Sequence, residues 1–107
     1  MFLLDHVGRR SGKWRTTPLV YLQDGEDMVV VGSKGGHPRH PLWFLNLREM
    51  KETTVQRGAR TIPVSVNVAN AEERERLWPK VVEIYRGYAA YQKRTKREIP
   101  LVILRPL

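Results

Sequence analysis

At 107 residues and 12.5 kDa the chain is sized for a single domain, residues 1–107, with one hydrophobic core. Its 19 Lys and Arg against 11 Asp and Glu give a formal charge of +8 and a pI near 10.3, which points to an anionic partner: nucleic acid, anionic lipid, or a phosphorylated or carboxylated cofactor. The absence of cysteine excludes disulfides and thiolate metal sites, and no apolar run approaches the roughly 20 residues of a membrane-spanning helix, so a cytoplasmic location is expected.

Phe2 to Val7 predicts a strand, ended by Gly8. Asp5 follows the first apolar residues at once, with no basic flank or cleavage site, so no secretory leader is expected. A loop crowded with cations comes next: Gly8-Arg9-Arg10-Ser11-Gly12-Lys13-Trp14-Arg15. Thr16 to Gln23 is rich in strand formers, with Pro18 suited to an edge. Asp24-Gly25-Glu26-Asp27 is a hairpin signal. Met28 to Val31 is a short continuous apolar run, the pattern of a strand buried on both faces.

A second polar loop, Gly32-Ser33-Lys34-Gly35-Gly36, leads through His37, Arg39 and His40 to Pro41. Pro41 to Met50 predicts a helix, because proline suits a first turn and Leu42, Leu45 and Leu47 with Trp43 or Phe44 give it a broad apolar surface. Thr53 to Gln56 and Ile62 to Val68 flank Arg57-Gly58-Ala59-Arg60 as a second hairpin, the latter strand half-buried. Asn70 with Glu73 forms a capping-box pattern at the start of a longer helix. Leu77, Val81, Ile84, Tyr85 and Tyr88 continue it at helical spacing, and Pro79 predicts a kink or restart within it. Ile99 to Leu104 is a closing strand. Hairpin connections favour an antiparallel sheet or barrel: an α+β fold, mainly β, of about six strands with one short inserted helix and one longer C-terminal helix.

The two glycine-bearing loops read as jaws for a polyanion. Glycine exposes backbone N–H groups that can form an anion-binding nest, and arginine adds forked hydrogen bonds to phosphate or carboxylate. No P-loop pattern is present, and plain surface turns are compatible with the same spacing. Arg94, Lys96 and Arg97 form a third basic group, for which a solvated face is an equal alternative. Trp14, Trp43, Phe44 and Trp78 could stack on a planar ligand. Tyr85, Tyr88 and Tyr91 share one broad helical side; Trp78 and Tyr85 read as core, Tyr88 and Tyr91 as pocket wall. His37 and His40 lack a nearby carboxylate, so no metal site is expected. No serine elbow and no acid–base pair is visible, so a cofactor would carry the chemistry.

Five motifs in order then resemble one family: Gly8-Arg9-Arg10-Ser11-Gly12-Lys13-x-Arg15-Thr16-x-Pro18-Leu19, Ser33-Lys34-Gly35-Gly36, His40-Pro41-x-Trp43-x-x-Asn46-Leu47, Tyr85-x-x-Tyr88-x-x-Tyr91-Gln92 and Ile99-Pro100-x-Val102. Together they are similar to the actinobacterial deazaflavin-dependent nitroreductase and quinone reductase family, which uses coenzyme F420. The resemblance implies a split β-barrel, FMN-binding-like, without the N-terminal helix of longer relatives. It implies an oxidoreductase that moves a hydride from reduced F420 to a quinone or nitroaromatic acceptor. Arg9, Arg10, Ser11, Gly12, Lys13, Arg15 and Pro18 would meet the cofactor's phosphate and carboxylates. Gly32, Ser33, Lys34, Leu42, Trp43 and Asn46 would flank its ring, Tyr85, Tyr88 and Tyr91 would line the acceptor pocket, and Tyr88 would stand nearest the reacting ring. Two departures from the family pattern stand out: Val20 where nitroimidazole-reducing relatives can carry an aromatic, and Arg86 where proline is frequent. A homodimer, and peripheral membrane contact in a longer form, are also compatible with it. An FMN-binding barrel, a non-catalytic cofactor carrier and a nucleic-acid-binding face are the alternatives, the last disfavoured because the aromatics are not interleaved with the basic loop.

Overall fold

The computed structural model describes residues 2–36 and 38–107. Among these, seven antiparallel strands form one sheet: β1 (Phe2–Val7), β2 (Trp14–Leu19), β3 (Leu22–Asp24), β4 (Asp27–Val31), β5 (Glu52–Arg57), β6 (Arg60–Val68) and β7 (Leu101–Pro106). Three α-helices accompany it: α1 (Leu42–Leu47), α2 (Ala71–Ile84) and α3 (Gly87–Arg94), with a single 3₁₀ turn at Lys34–Gly36.

The sheet order is β2-β1-β5-β6-β7-β4-β3, so both edge strands are consecutive in the chain. Only Val20 and Tyr21 separate them. Two residues cannot cross a flat seven-stranded sheet, whose neighbouring strands lie about 4.8 Å apart. The sheet is therefore curled until its edges nearly meet. This corrects the expectation of one strand over Thr16 to Gln23 and raises the strand count from about six to seven. Pro18 lies on the β2 edge, opposite Leu3, where its missing N–H disturbs no ladder.

Apolar residues inside the curl form the main core: Phe2, Leu4, Met28, Val30, Phe44, Leu47, Val55, Val64, Val102 and Leu104. Its outer counterpart is Val29, Leu77, Val81, Leu101 and Ile103, where α2 covers the outside of β4 and β7. Strand β4 is thus buried on both faces, as its unbroken apolar run requires. The hairpins turn at Gly25 and Gly58, both at φ +61°, a conformation that glycine adopts without a Cβ penalty.

Helix boundaries show three differences from the sequence reading. Helix α1 is shorter than Pro41 to Met50, because the Glu49 and Met50 N–H groups bond three residues back, to Asn46 and Leu47, and tighten the chain toward β5. Helix α2 runs through Pro79 without a restart; the carbonyl that proline leaves unbonded belongs to the exposed Glu75. The break falls instead at Tyr85 and Arg86, dividing the one predicted C-terminal helix into α2 and α3. Tyr85 folds back over Gly87, where an added Cβ would lie 2.9 Å from the ring, and is 48% exposed rather than core. The last strand begins at Leu101, although Ile99 before it is fully buried. The capping box at Asn70 and Glu73 forms as expected, with both reciprocal bonds made.

Candidate active site

A cleft of about 850 Å³ opens between the basic loop, the edge strand β2, the segment after β4, and α1. Its lining holds residues of two chemistries. The cationic set is Arg9, Arg10, Arg15 and Lys34, accompanied by Ser11 and Ser33, and no described carboxylate lines the cleft. The apolar set is Leu19, Val20, Val31, Leu42, Trp43 and Tyr88. Such a lining suits a ligand with one anionic end and one flat, weakly polar end.

The basic loop is closed on itself. Gly8 N–H donates to the Lys13 carbonyl at 2.9 Å and Gly12 N–H to the Gly8 carbonyl at 2.8 Å, with Gly12 at φ +70°. Lys13 N–H donates to Ser11 Oγ at 3.2 Å, and Arg9 N–H to Asn46 Oδ1 at 3.1 Å. These four N–H groups are spent inside the protein and are not available to an anion, which leaves the side chains of the loop to carry most of the charge recognition. Gly12 and Lys13 accordingly stay outside the lining, while Arg9, Arg10, Ser11, Arg15 and Pro18 belong to it.

The second loop contributes Ser33 and Lys34 but not Gly32, whose N–H donates to the Pro100 carbonyl at 2.9 Å. Lys34 holds φ +44°, a left-handed conformation unfavourable for a side-chain-bearing residue, directly beside the cleft. Behind this wall stands Arg97, which donates from Nη2 to the Ser33 carbonyl at 2.7 Å and from Nη1 to the Gly32 carbonyl at 3.1 Å. The same Nη1 lies 3.1 Å from His40 Nδ1. Arg97 was grouped by sequence with Arg94 and Lys96 as a basic patch; it is instead turned inward as a strap. Burial holds the His40 imidazole below its ordinary range, and the charges of Arg97 and Arg48 act the same way. His37 lies outside the described residues.

Helix α1 supplies Leu42, Trp43 and Asn46. Of the four candidate stacking aromatics, Trp43 alone lines the cleft: Phe44 is core, Trp78 packs against the outer cluster under Arg74, and Trp14 is exposed. Tyr88 belongs to the apolar set and is half-buried. Burial, then the neighbouring Tyr85 and Tyr91, push its hydroxyl above the ordinary phenol range, so it stays protonated near neutrality. Tyr85 and Tyr91 do not line the cleft; they meet the Tyr88 ring edge to face, their own hydroxyls 3.0 Å apart.

His6 went unnoticed in the sequence, where it is one strand residue among apolar neighbours. It lies at the cleft floor, 3% exposed. Thr16 and Thr17 of β2 join it in the lining, although as adjacent strand residues they point to opposite faces of the sheet: Thr17 meets His6 and Thr16 meets Asp5.

The sequence model of the F420H(2)-dependent quinone reductases matches residues 1–106. The chain belongs to that family. Its mycobacterial relative Rv3178 of Mycobacterium tuberculosis, named for the same activity, is 41% identical over 104 residues, covering 97% of this chain and 87% of the relative. The solved structure of the F420-H2 dependent reductase FDR-A superposes with a TM-score of 0.86 at 38% identity, over 96% of this chain and 91% of that one. HutZ of Vibrio cholerae, at 11% identity, superposes with a TM-score of 0.73 over 99% of this chain and 80% of its own, a likeness of fold alone. The curled sheet is the split β-barrel expected from the sequence. Within this family of F420H(2)-dependent reductases, the cleft's cationic residues fit a cofactor bearing phosphate and carboxylates, and its apolar residues fit a flat ring system.

Proposed function

We propose that this chain is an oxidoreductase that passes a hydride from reduced F420 to a quinone within the cleft, and that residues 1–107 form one cofactor-binding domain. The observation that carries this is the make-up of the cleft lining: four cations and no described carboxylate, together with the apolar residues Leu19, Val20, Val31, Leu42, Trp43 and Tyr88.

The cofactor, when bound, supplies the hydride. Arg9, Arg10, Arg15 and Lys34 bind its anionic groups, with guanidinium forks matching phosphate and carboxylate oxygens. Trp43 and Leu42 offer flat apolar surface for the ring and keep water from it. Tyr88 holds a protonated hydroxyl at the cleft and donates a hydrogen bond to the acceptor oxygen as negative charge grows there. Tyr85 and Tyr91, packed around Tyr88, keep its ring in place. We assign quinones rather than nitroaromatics as acceptors. We also propose a cytoplasmic location, with membrane contact confined to longer forms, and a homodimer, as in a neighbour of 38% identity described as a domain-swapped dimer.

The test is titration with oxidised F420 followed by tryptophan fluorescence, with FMN in parallel. Selective F420 binding that an Arg9→Ala/Arg10→Ala variant loses, together with menadione reduction, is the expected result. Selective FMN binding would transfer the protein to the flavin-binding branch, and wild-type turnover in Tyr88→Phe would remove the tyrosine's role.

A further inference from the structure

We propose that His6 is a positioning residue for the proposed cofactor reaction: through the Asn46 side chain it holds Arg9, and with it the basic loop, at the edge of the cleft. The inference rests on the cofactor assignment above only for its consequence, since the hydrogen-bond chain is a property of the protein by itself.

The polarity of that chain can be derived step by step. Arg9 N–H and Arg9 Nη1 both donate to Asn46 Oδ1, at 3.1 and 3.4 Å, which fixes the oxygen of the amide toward the loop. Asn46 Nδ2 must then face His6, 3.1 Å from Nδ1. An NH2 group can only donate, so Nδ1 carries a lone pair and the one proton of the neutral ring sits on Nε2. That proton points at Thr17 Oγ1, 2.9 Å away. The chain therefore reads Arg9 to Asn46 to His6 to Thr17, each donating to the next, and joins the basic loop, α1, β1 and β2.

Water cannot substitute for these contacts, because His6 and Asn46 are 3% and 5% exposed. A second proton on His6 would set N–H against N–H at Asn46. Turning the amide over would satisfy His6 but present NH2 to the Arg9 N–H. In the first case Asn46 loses its anchor on β1, and in the second the loop loses its acceptor on α1. The charged groups around the ring are Asp5 beside it on β1, Arg15 opposite it on β2, and Arg9 from the loop. The groups from α1 and β5 are the uncharged Asn46 and Thr53. Burial keeps the imidazole below its ordinary range, Arg15 pushes in the same direction, and Asp5 opposes them. The neutral ring that the chain requires is thus the form its surroundings favour at neutral pH.

Glutamine separates positioning from mere packing: its amide presents an acceptor and a donor side by side, as the neutral ring does, but takes no proton in this range. Wild type, His6→Gln and His6→Leu are titrated with oxidised F420 from about pH 5 to 8, where histidine changes charge. The Arg9 backbone amide is followed by NMR across the same range in cofactor-free protein. His6→Leu is expected to bind about tenfold more weakly, the scale of one lost buried anchor. His6→Gln is expected to stay within about twofold of wild type, as a preserved hydrogen-bond chain requires. Wild-type affinity falls relative to His6→Gln as the pH drops, and the Arg9 amide titrates in wild type alone. Folded His6→Leu with wild-type affinity, or parallel pH profiles with a motionless Arg9 amide, overturns the proposal. Should His6→Leu fail to fold, the comparison with His6→Gln decides. Should no variant bind F420, the cofactor assignment fails while the Arg9 amide still tests His6.

Discussion

Replacing Arg97 by methionine keeps most of the aliphatic stem and removes the fork that holds the second loop. The guanidinium bonds the Ser33 carbonyl at 2.7 Å and the Gly32 carbonyl at 3.1 Å, and both residues are buried. Hydrogen bonds to charged groups contribute about 1.5–3 kcal/mol each, and bonds sharing one donor group do not add fully, so the pair together represents about 2–4 kcal/mol. With a urea m-value of about 1.5 kcal/mol/M for a chain of this size, the unfolding midpoint should fall by roughly 1.3–2.7 M at unchanged m. Arg97→Lys should recover less than half of that, because the two carbonyls are reached from separate guanidinium nitrogens, whereas an ammonium must reach both from one. Cofactor affinity should fall as well, since Ser33 and Lys34 line the cleft. A midpoint for Arg97→Met within about 0.3 M of wild type, well inside the range expected for a neutral surface change, would show that the strap is not structural.

Lys34→Gly should relieve the left-handed backbone at φ +44° and raise stability by about 0.5–1 kcal/mol, while weakening F420 binding through loss of a cleft cation; thermal melts and titration on one preparation check both signs. Asn70→Ala removes the side-chain acceptor of the Glu73 N–H, leaves the backbone donor of the capping box in place, and should cost about 1 kcal/mol by urea unfolding, with no change in cofactor affinity because α2 begins away from the cleft. Burial would raise the Asp5 carboxyl, but hydrogen bonds from Thr54, Thr16 and Gln56 outweigh it and hold the group below its ordinary value of 3.8. The unfolded chain then binds the proton first, so this stabilisation is complete above pH 3.8 and is lost as the pH falls through the lower folded value. Acid unfolding of Asp5→Asn should lack that component.

Local signals were legible in the sequence where local physics decides. The Asp24-Gly25 and Gly58 turns, the capping box and the doubly buried β4 each depend on neighbours within a few residues. What the sequence did not disclose depends on contacts between distant segments. Pro79 is tolerated because its side of α2 faces water, and Arg97 is consumed by carbonyls some 64 residues away. Loop composition marked Gly8 to Arg15 as strongly cationic, but not that the N–H groups of Gly8, Arg9, Gly12 and Lys13 are bonded within the protein. His6 carried no signal at all: its role exists only once β2 and α1 close around β1.

The passage from Leu19 to Leu22 sets a limit on how the barrel can breathe. Three Cα-to-Cα steps separate the last residue of one sheet edge from the first of the other, so the two can never stand more than about 11 Å apart. Among the described residues the two edges share no hydrogen-bond ladder, and the chain itself acts as the hoop. Any widening of the cleft would therefore fall at the far end of β2, at the basic loop, with the end at Val20 as the pivot. A backbone cut at Val20–Tyr21 would release the hoop and leave the seven strands free to flatten.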